Sequence, residues 1–168
     1  MRQRAIRRWD PSVYSKDAEM PTLWINGQDA HFPLDSFMKS CADVRGSRFL
    51  RLQIGMAHSH QAGWAPEEIY RFADSIVGNG VRLAMVAAPV GEGDEICAGY
   101  QSEAEIVRAE LCYTRDGGEW LQREWKSSEA LCDGVQVRAD LPAGTVACFF
   151  NLIDAAGGLS SSPLDIIN

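Results

Sequence analysis

Three residues in the first part of the chain have side chains suited to acid–base chemistry, and each sits in a loop that follows an apolar run. Asp29 comes just after Thr22-Leu23-Trp24-Ile25-Asn26-Gly27. His58 and His60 lie in the loop from Gly55 to Gly63, after the run Phe49 to Ile54. A carboxylate that orients an imidazole, and an imidazole that takes up and returns a proton, are the acid and the base of a hydrolase triad. His58 is the first candidate for the base. His60 is the reserve, and His58 would then brace the loop. His31, two residues from Asp29, can line the same cleft. Other readings stay open. Asp29 can satisfy local backbone amides, the histidines can be loop residues without a task, and His58-x-His60 can hold a metal, although no third ligand is evident nearby.

A triad also needs a nucleophile, and none is evident. The elbow pattern G-x-S-x-G does not occur. Ser47 and Ser59 do not stand in that context. Cys41 falls on the apolar face of a predicted helix, where core packing is the expected role.

The elements that must position these residues can be read from periodicity. Thr22 to Ile25 is a short, continuously apolar strand ending at the turn signal Asn26-Gly27. Pro33 opens a helix whose Leu34, Phe37, Met38 and Cys41 repeat at i, i+3, i+4, i+7, running to about Val44. Phe49 to Ile54 is a second strand. Pro66, Glu67 and Glu68 start a second helix with the stripe Ile69, Phe72, Ala73, Ile76 and Val77, which stops at Gly78-Asn79-Gly80. Strand, helix, strand, helix implies a right-handed parallel crossover, which brings the Asp29 and His58 loops to one sheet edge. Two parallel strands alone leave open edges and an uncovered face. Such a unit calls for a complementing chain, a swapped homo-oligomer, or a neighbouring domain packed across it.

After Gly80 helical periodicity disappears. Short β-rich runs follow: Val81–Val90, Glu95–Tyr100, Ile106–Thr114, Trp120–Trp125, Val135–Leu141, Thr145–Ile153 and Leu159–Ile166, separated by Gly-, Asp- and Pro-containing turns. This pattern predicts a β-sandwich of immunoglobulin or fibronectin type. The expected fold class is therefore α/β plus all-β, with domains 1–80 and 81–168. Trp120 and Trp125 are read as lying on opposite faces of one strand, one in the core. The other, with Tyr100 or Tyr113, would offer a stacking platform for sugars.

Composition bounds the partners. The chain has 168 residues, is 46% hydrophobic and 23% charged, and carries a net charge of −7. That charge argues against nucleic acid and anionic membranes. No run nears the ~18 apolar residues of a membrane-spanning helix. The basic stretch Met1 to Pro11 lacks the apolar region of a signal peptide. Cys41, Cys97, Cys112, Cys132 and Cys148 are odd in number and sit within apolar runs, so free thiols are expected. No cofactor motif and no metal site is predicted.

Two segments carry a resemblance. Trp9-Asp10-Pro11-Ser12, Pro21 to Gly27, Asp29 and Phe32-Pro33-Leu34-Asp35-Ser36 are similar to the acid-bearing segment of bacterial α/β-hydrolases of the acetylxylan esterase-like or dienelactone hydrolase-like kind. Met56-Ala57-His58-Ser59-His60 and Pro66-Glu67-Glu68-Ile69 look like their histidine loop and final helix. The resemblance implies Asp29 as triad acid, His58 as base and His60 as its alternate. It implies a β-sandwich after the hydrolase sheet, an ester or polysaccharide substrate for the parent enzyme, and an exported or periplasmic parent. The chain then holds the last part of a carboxylic-ester hydrolase without its serine, and is expected to be inactive alone. The alternative is a carbohydrate- or protein-binding sandwich beside a non-catalytic α/β remnant.

Overall fold

The computed structural model describes residues 8–27 and 32–167. Two short 3-10 turns, Pro11–Val13 and Ser15–Asp17, lead into strand β1 (Thr22–Asn26). Helix α1 (Leu34–Ala42) crosses to β2 (Arg48–Leu52), which pairs with β1 in parallel, Thr22 opposite Arg48 and Asn26 opposite Leu52. A one-turn helix α2 (His60–Trp64) interrupts the loop expected from Gly55 to Gly63, and α3 (Glu68–Val77) follows. Leu34 and Cys41 of α1 are buried, as the apolar spacing requires. On β2, Phe49 meets Phe72 of α3 at 5.6 Å between ring centroids, while Leu52 joins Leu34 in a common cluster. Thus α3 and α1 cover opposite faces of the strand pair.

The remaining strands are β3 (Met85–Val86), β4 (Val90–Glu92), β5 (Glu95–Gln101), β6 (Ile106–Thr114), β7 (Trp125–Cys132), β8 (Gln136–Asp140), β9 (Ala147–Asp154), β10 (Leu159–Ser161) and β11 (Asp165–Ile166). They form a curled antiparallel sheet in the order β10-β9-β6-β7-β8-β5-β3, with β11 on β9 and β4 on β5. Alternate residues of β9 point to two different cores. Cys148, Phe150 and Leu152 fill the inside of the curl with Ile96, Leu111 and Val137. Ala147 and Phe149 point outward and pack with Cys112, Trp125, Leu34 and Leu52. The second cluster contains residues from both halves of the chain, so the outer face of the curled sheet covers the α1 side of the parallel unit. This packing supplies one of the three covers expected for a two-stranded sheet.

Two runs differ from the sequence reading. Val81–Val90 is not one strand. Only Met85–Val86 and then Val90 pair, and Pro89 between them has no N–H to give a ladder. Trp120–Trp125 is not a strand either. Trp120–Gln122 is a 3-10 turn, and Trp125 opens β7. The odd–even argument for Trp120 and Trp125 therefore does not apply. Trp125 is buried, 5.3 Å from Phe149, and half-buried Trp120 is covered by the Arg123 guanidinium at 3.6 Å from its ring centroid. All five cysteines are free thiols.

Candidate functional site

The C-terminal ends of β1 and β2 are tied together. The Gln53 amide donates to the Asn26 carbonyl at 3.0 Å, extending the pairing by one residue. Just beyond that point Gly27 and Met56 meet. Gly27 is buried, and a Cβ built on it would fall on the Cβ of Met56. Only glycine at position 27 allows the chain after β1 to come so close to Met56. Asn26 Nδ2 then donates to the Phe32 carbonyl at 3.0 Å, closing the loop at its far end. Asp29 and His31 lie outside the described residues. Both flanks of their loop, Gly27 and Phe32, are fixed against the second loop, and the Phe32 ring lies 6.1 Å from that of His58.

The second loop is built from local turns. Gly55 takes a left-handed conformation (φ 72°) just after β2, where a residue with a Cβ is strained. Ser59 caps α2, its hydroxyl accepting from the Ala62 amide at 3.0 Å. His58 precedes the cap and His60 is the first helical residue; both are exposed.

Both histidines line a cleft of about 940 Å³ at these strand ends. Trp24, Phe37 and Trp64 give it apolar walls, and Ser12, Ser36 and Ser40 bring hydroxyls. Trp24 and Phe37 meet edge-on at 5.5 Å. The hydroxyl bonds here are local. Ser12 Oγ donates to Asp10 at 2.7 Å, and Ser40 Oγ donates to the Ser36 carbonyl at 3.3 Å. With the Ser12 amide, that hydroxyl holds the Asp10 carboxyl below its ordinary range. Ser59 is engaged in capping. Among the described residues no group of three or more His, Cys, Asp or Glu is placed to hold a metal.

Cys41, weighed as a nucleophile, is buried within α1, and burial pushes its thiol up. A thiol held protonated is a poor nucleophile. The fold buries two acidic residues, Glu68 and Asp154, against partners that no sequence pattern gave. Glu68 is 4% exposed and accepts from Arg51 Nε and from the Leu159 amide, each at 2.7 Å. Asp154 is 4% exposed and accepts two hydrogen bonds from Arg71. A carboxylate with Glu or Asp at the start of a helix or turn was visible in the sequence, but not its distant partner.

No family model, curated protein or solved structure matches this chain.

Proposed function

We propose that residues 1–80 are the acid- and histidine-bearing end of an esterase-type α/β-hydrolase, with Asp29 as the triad acid and His58 as the base, His60 being its alternate. The observation that carries this reading is the contact of Gly27 with Met56. It sets Gly27, two residues before Asp29, against Met56, two residues before His58, outside the carboxyl ends of two parallel strands. In an acyl transfer, His58 takes the proton of an attacking serine hydroxyl and returns it to the leaving alcohol, while Asp29 holds the imidazole in one tautomer. The serine and the oxyanion donors come from a complementing segment or chain. Without them the chain binds and positions but does not turn over.

The curled sheet supports a fibronectin-like reading of the second half. Its strands run β10-β9-β6-β7-β8-β5-β3 with β4 on β5, and a sheet curled around one core can bring its two ends face to face as the sheets of such a sandwich are. Its service here is to cover the parallel unit. A glycan-reading role finds less support, because Trp125 is buried and Trp120 is covered by Arg123. Tyr100 is also engaged, accepting from the Gly134 amide at 3.1 Å.

The test pairs a short acyl ester with a serine-directed fluorophosphonate probe. The chain alone is expected to show no turnover and no label. Labelling that disappears in His58→Ala would mean that a nucleophile resides in this chain and would overturn the division of the triad.

A further inference from the structure

Strand β1 has an open edge. The Thr22 amide donates to the Ser47 carbonyl at 2.9 Å, and the Asn26 carbonyl accepts from the Gln53 amide at 3.0 Å. Along a parallel strand, alternate residues turn their backbone groups to the same neighbour. Thr22, Trp24 and Asn26 therefore bond to β2, and the amides and carbonyls of Leu23 and Ile25 point the other way. Among the described residues nothing bonds to them. Natural sheets guard such an edge with a charge, a proline or a bulge. Strand β1 has none of these. Thr22-Leu23-Trp24-Ile25-Asn26 holds no charged side chain and pairs with β2 in unbroken register.

The same flank carries apolar surface on α3. By the same alternation the Leu52 amide of β2 points away from β1, and there Ser161 of β10 accepts from it. Glu68 and Arg71 of α3 reach Leu159 and Asp154 on that side. Helix α3 thus lies over β2 with one flank to the curled sheet and the other toward β1. Toward β1 stand Ile69, Ala73, Ile76 and Val77, at i, i+4, i+7, i+8 spacing. Ile69 is half-buried, but Ala73, Ile76 and Val77 are exposed, Val77 by 84%. Ile76 lines a recess with Pro21, the residue before β1.

The outward groups are self-complementary. When β1 lies antiparallel to the β1 of a second copy, Leu23 stands opposite Ile25 and Ile25 opposite Leu23. Each pair exchanges both of its hydrogen bonds about a two-fold axis at Trp24. A slip toward the N-terminus would bring in Pro21, which has no N–H. A slip toward the C-terminus would bring in Gly27, which is buried against Met56. The axis sets both α3 helices on one face of the joined sheet, with their uncharged flanks toward each other. A foreign strand would satisfy the hydrogen bonds alone, whereas a second copy satisfies the edge and covers the helix flank.

From this palindromic edge and apolar flank we propose that the chain forms a two-fold homodimer through β1 and α3. The β2-β1 pair of one copy runs into the β1-β2 pair of the other, and the Ala73, Ile76 and Val77 flanks close over the seam. The proposal does not rest on the esterase reading.

Sedimentation velocity of the full chain, from about 1 to 500 µM, should show a species of twice the 18.5 kDa chain mass, half-formed within that range. In the dimer the Leu23 and Ile25 amides should exchange hydrogen at least about tenfold more slowly than in the monomer. Leu23→Pro removes an outward donor and leaves the β1–β2 bonds in place, so it should weaken association at least about tenfold. Ala73→Lys with Val77→Lys, both exposed positions, sets like charges on the facing flanks and should weaken it as much. This second variant decides the case if the proline variant does not fold. A monomer at every concentration would overturn the proposal, whether the edge stays open or takes a strand from another protein. A dimer that the lysine variant leaves unchanged, or in which Leu23 and Ile25 exchange as fast as in the monomer, would place the contact elsewhere and overturn it. Assembly beyond two copies would also overturn it, because a two-fold contact closes.

Discussion

Glu68 stands at the junction of three elements: it opens α3, pairs with Arg51 of β2 and caps the Leu159 amide of β10. Arg51 and Glu68 have side chains only 11% and 5% exposed. Removing one partner of such a pair strands the other charge, at a cost of about 3–5 kcal/mol. Glu68→Ala should therefore lower stability by that amount in urea unfolding. Arg51→Met with Glu68→Leu should recover most of the loss, because apolar replacement of both partners is close to neutral. The thiols give a second expectation. Burial pushes Cys148 up to about 12 and Cys112 higher still, the latter with the Glu110 carboxylate adding to the effect. In the native protein a disulfide reagent at neutral pH should modify exposed Cys132 and half-buried Cys97, and reach Cys41, Cys112 and Cys148 only on unfolding. At this scale, legibility depends on where the partner sits. Asp29, His58 and His60 could be nominated as candidates because residue type and position in the sequence suffice for that. The roles of Glu68, Asn151 and Ser161 could not, because their partners lie 91, 99 and 109 residues away.

Strand β2 ends in a clamp made of side chains. The Leu52 amide donates to Ser161 Oγ at 2.8 Å, Asn151 Nδ2 donates to the Leu52 carbonyl at 3.2 Å, and Ser161 Oγ donates to Asn151 Oδ1 at 2.6 Å. The two side chains satisfy the backbone of β2 where no further strand pairs with it. Asn151 is 3% and Ser161 2% exposed, so Asn151→Ala leaves a buried carbonyl and a buried hydroxyl short of partners. A loss of about 2–3 kcal/mol is expected, against about 1 kcal/mol for a hydrogen bond with a solvent alternative; urea midpoints measure it. A second tie joins α3 to the β9–β10 turn. Arg71 reaches Asp154 because Gly158 has no Cβ, which would otherwise fall on the guanidinium. Burial alone would raise the Asp154 carboxyl, but Arg71 and the Gly158 and Ala156 amides outweigh it and hold it below its ordinary range. A depressed carboxylate contributes stability that is present above the unfolded value, near 3.9, and is lost as pH falls through the lower folded value. Acid unfolding should thus steepen below about pH 4, and Asp154→Asn should flatten the profile there. Among the strands, β6 was legible to the residue, because Ile106–Thr114 is rich in β-branched, aliphatic and aromatic residues, with only Arg108 and Glu110 charged. Strand β7 was not. Beyond Trp125 it reads Lys-Ser-Ser-Glu, and it is a strand because β6 pairs with it along Ala109–Thr114, a tertiary cause that no local pattern carries.

The two halves of the molecule are joined through one core cluster, in which Leu34 and Leu52 pack with Cys112, Trp125, Ala147 and Phe149. The strand pair of the first half gains from the curled sheet what it lacks by itself, a cover for one face and a clamp for one edge. The curled sheet gains a cover for outward-facing Phe149, which is 1% exposed. Each half therefore stabilises the other. A parallel pair in isolation would be weakly protected, and the packing changes that unequally. Phe49, Leu50 and Leu52 of β2 are 6%, 6% and 1% exposed, whereas Leu23, Trp24 and Ile25 of β1 are only half-buried. Beyond β1 no strand pairs among the described residues. Native-state hydrogen exchange should show β2 amides opening with free energies close to global unfolding, and β1 amides opening by smaller local motions. The mutual cover makes a second demand. Severing the chain near Gly80 exposes Phe149 and Trp125 in the C-terminal piece, so residues 81–168 alone should melt more than about 5 °C below the intact chain, a shift equivalent to a few kcal/mol. Equal melting temperatures would mean that the outer cluster adds nothing to the curled sheet. The parallel unit would then be a passenger on it, and the fixed contact of Gly27 and Met56 would lose the packing that holds its strands in place.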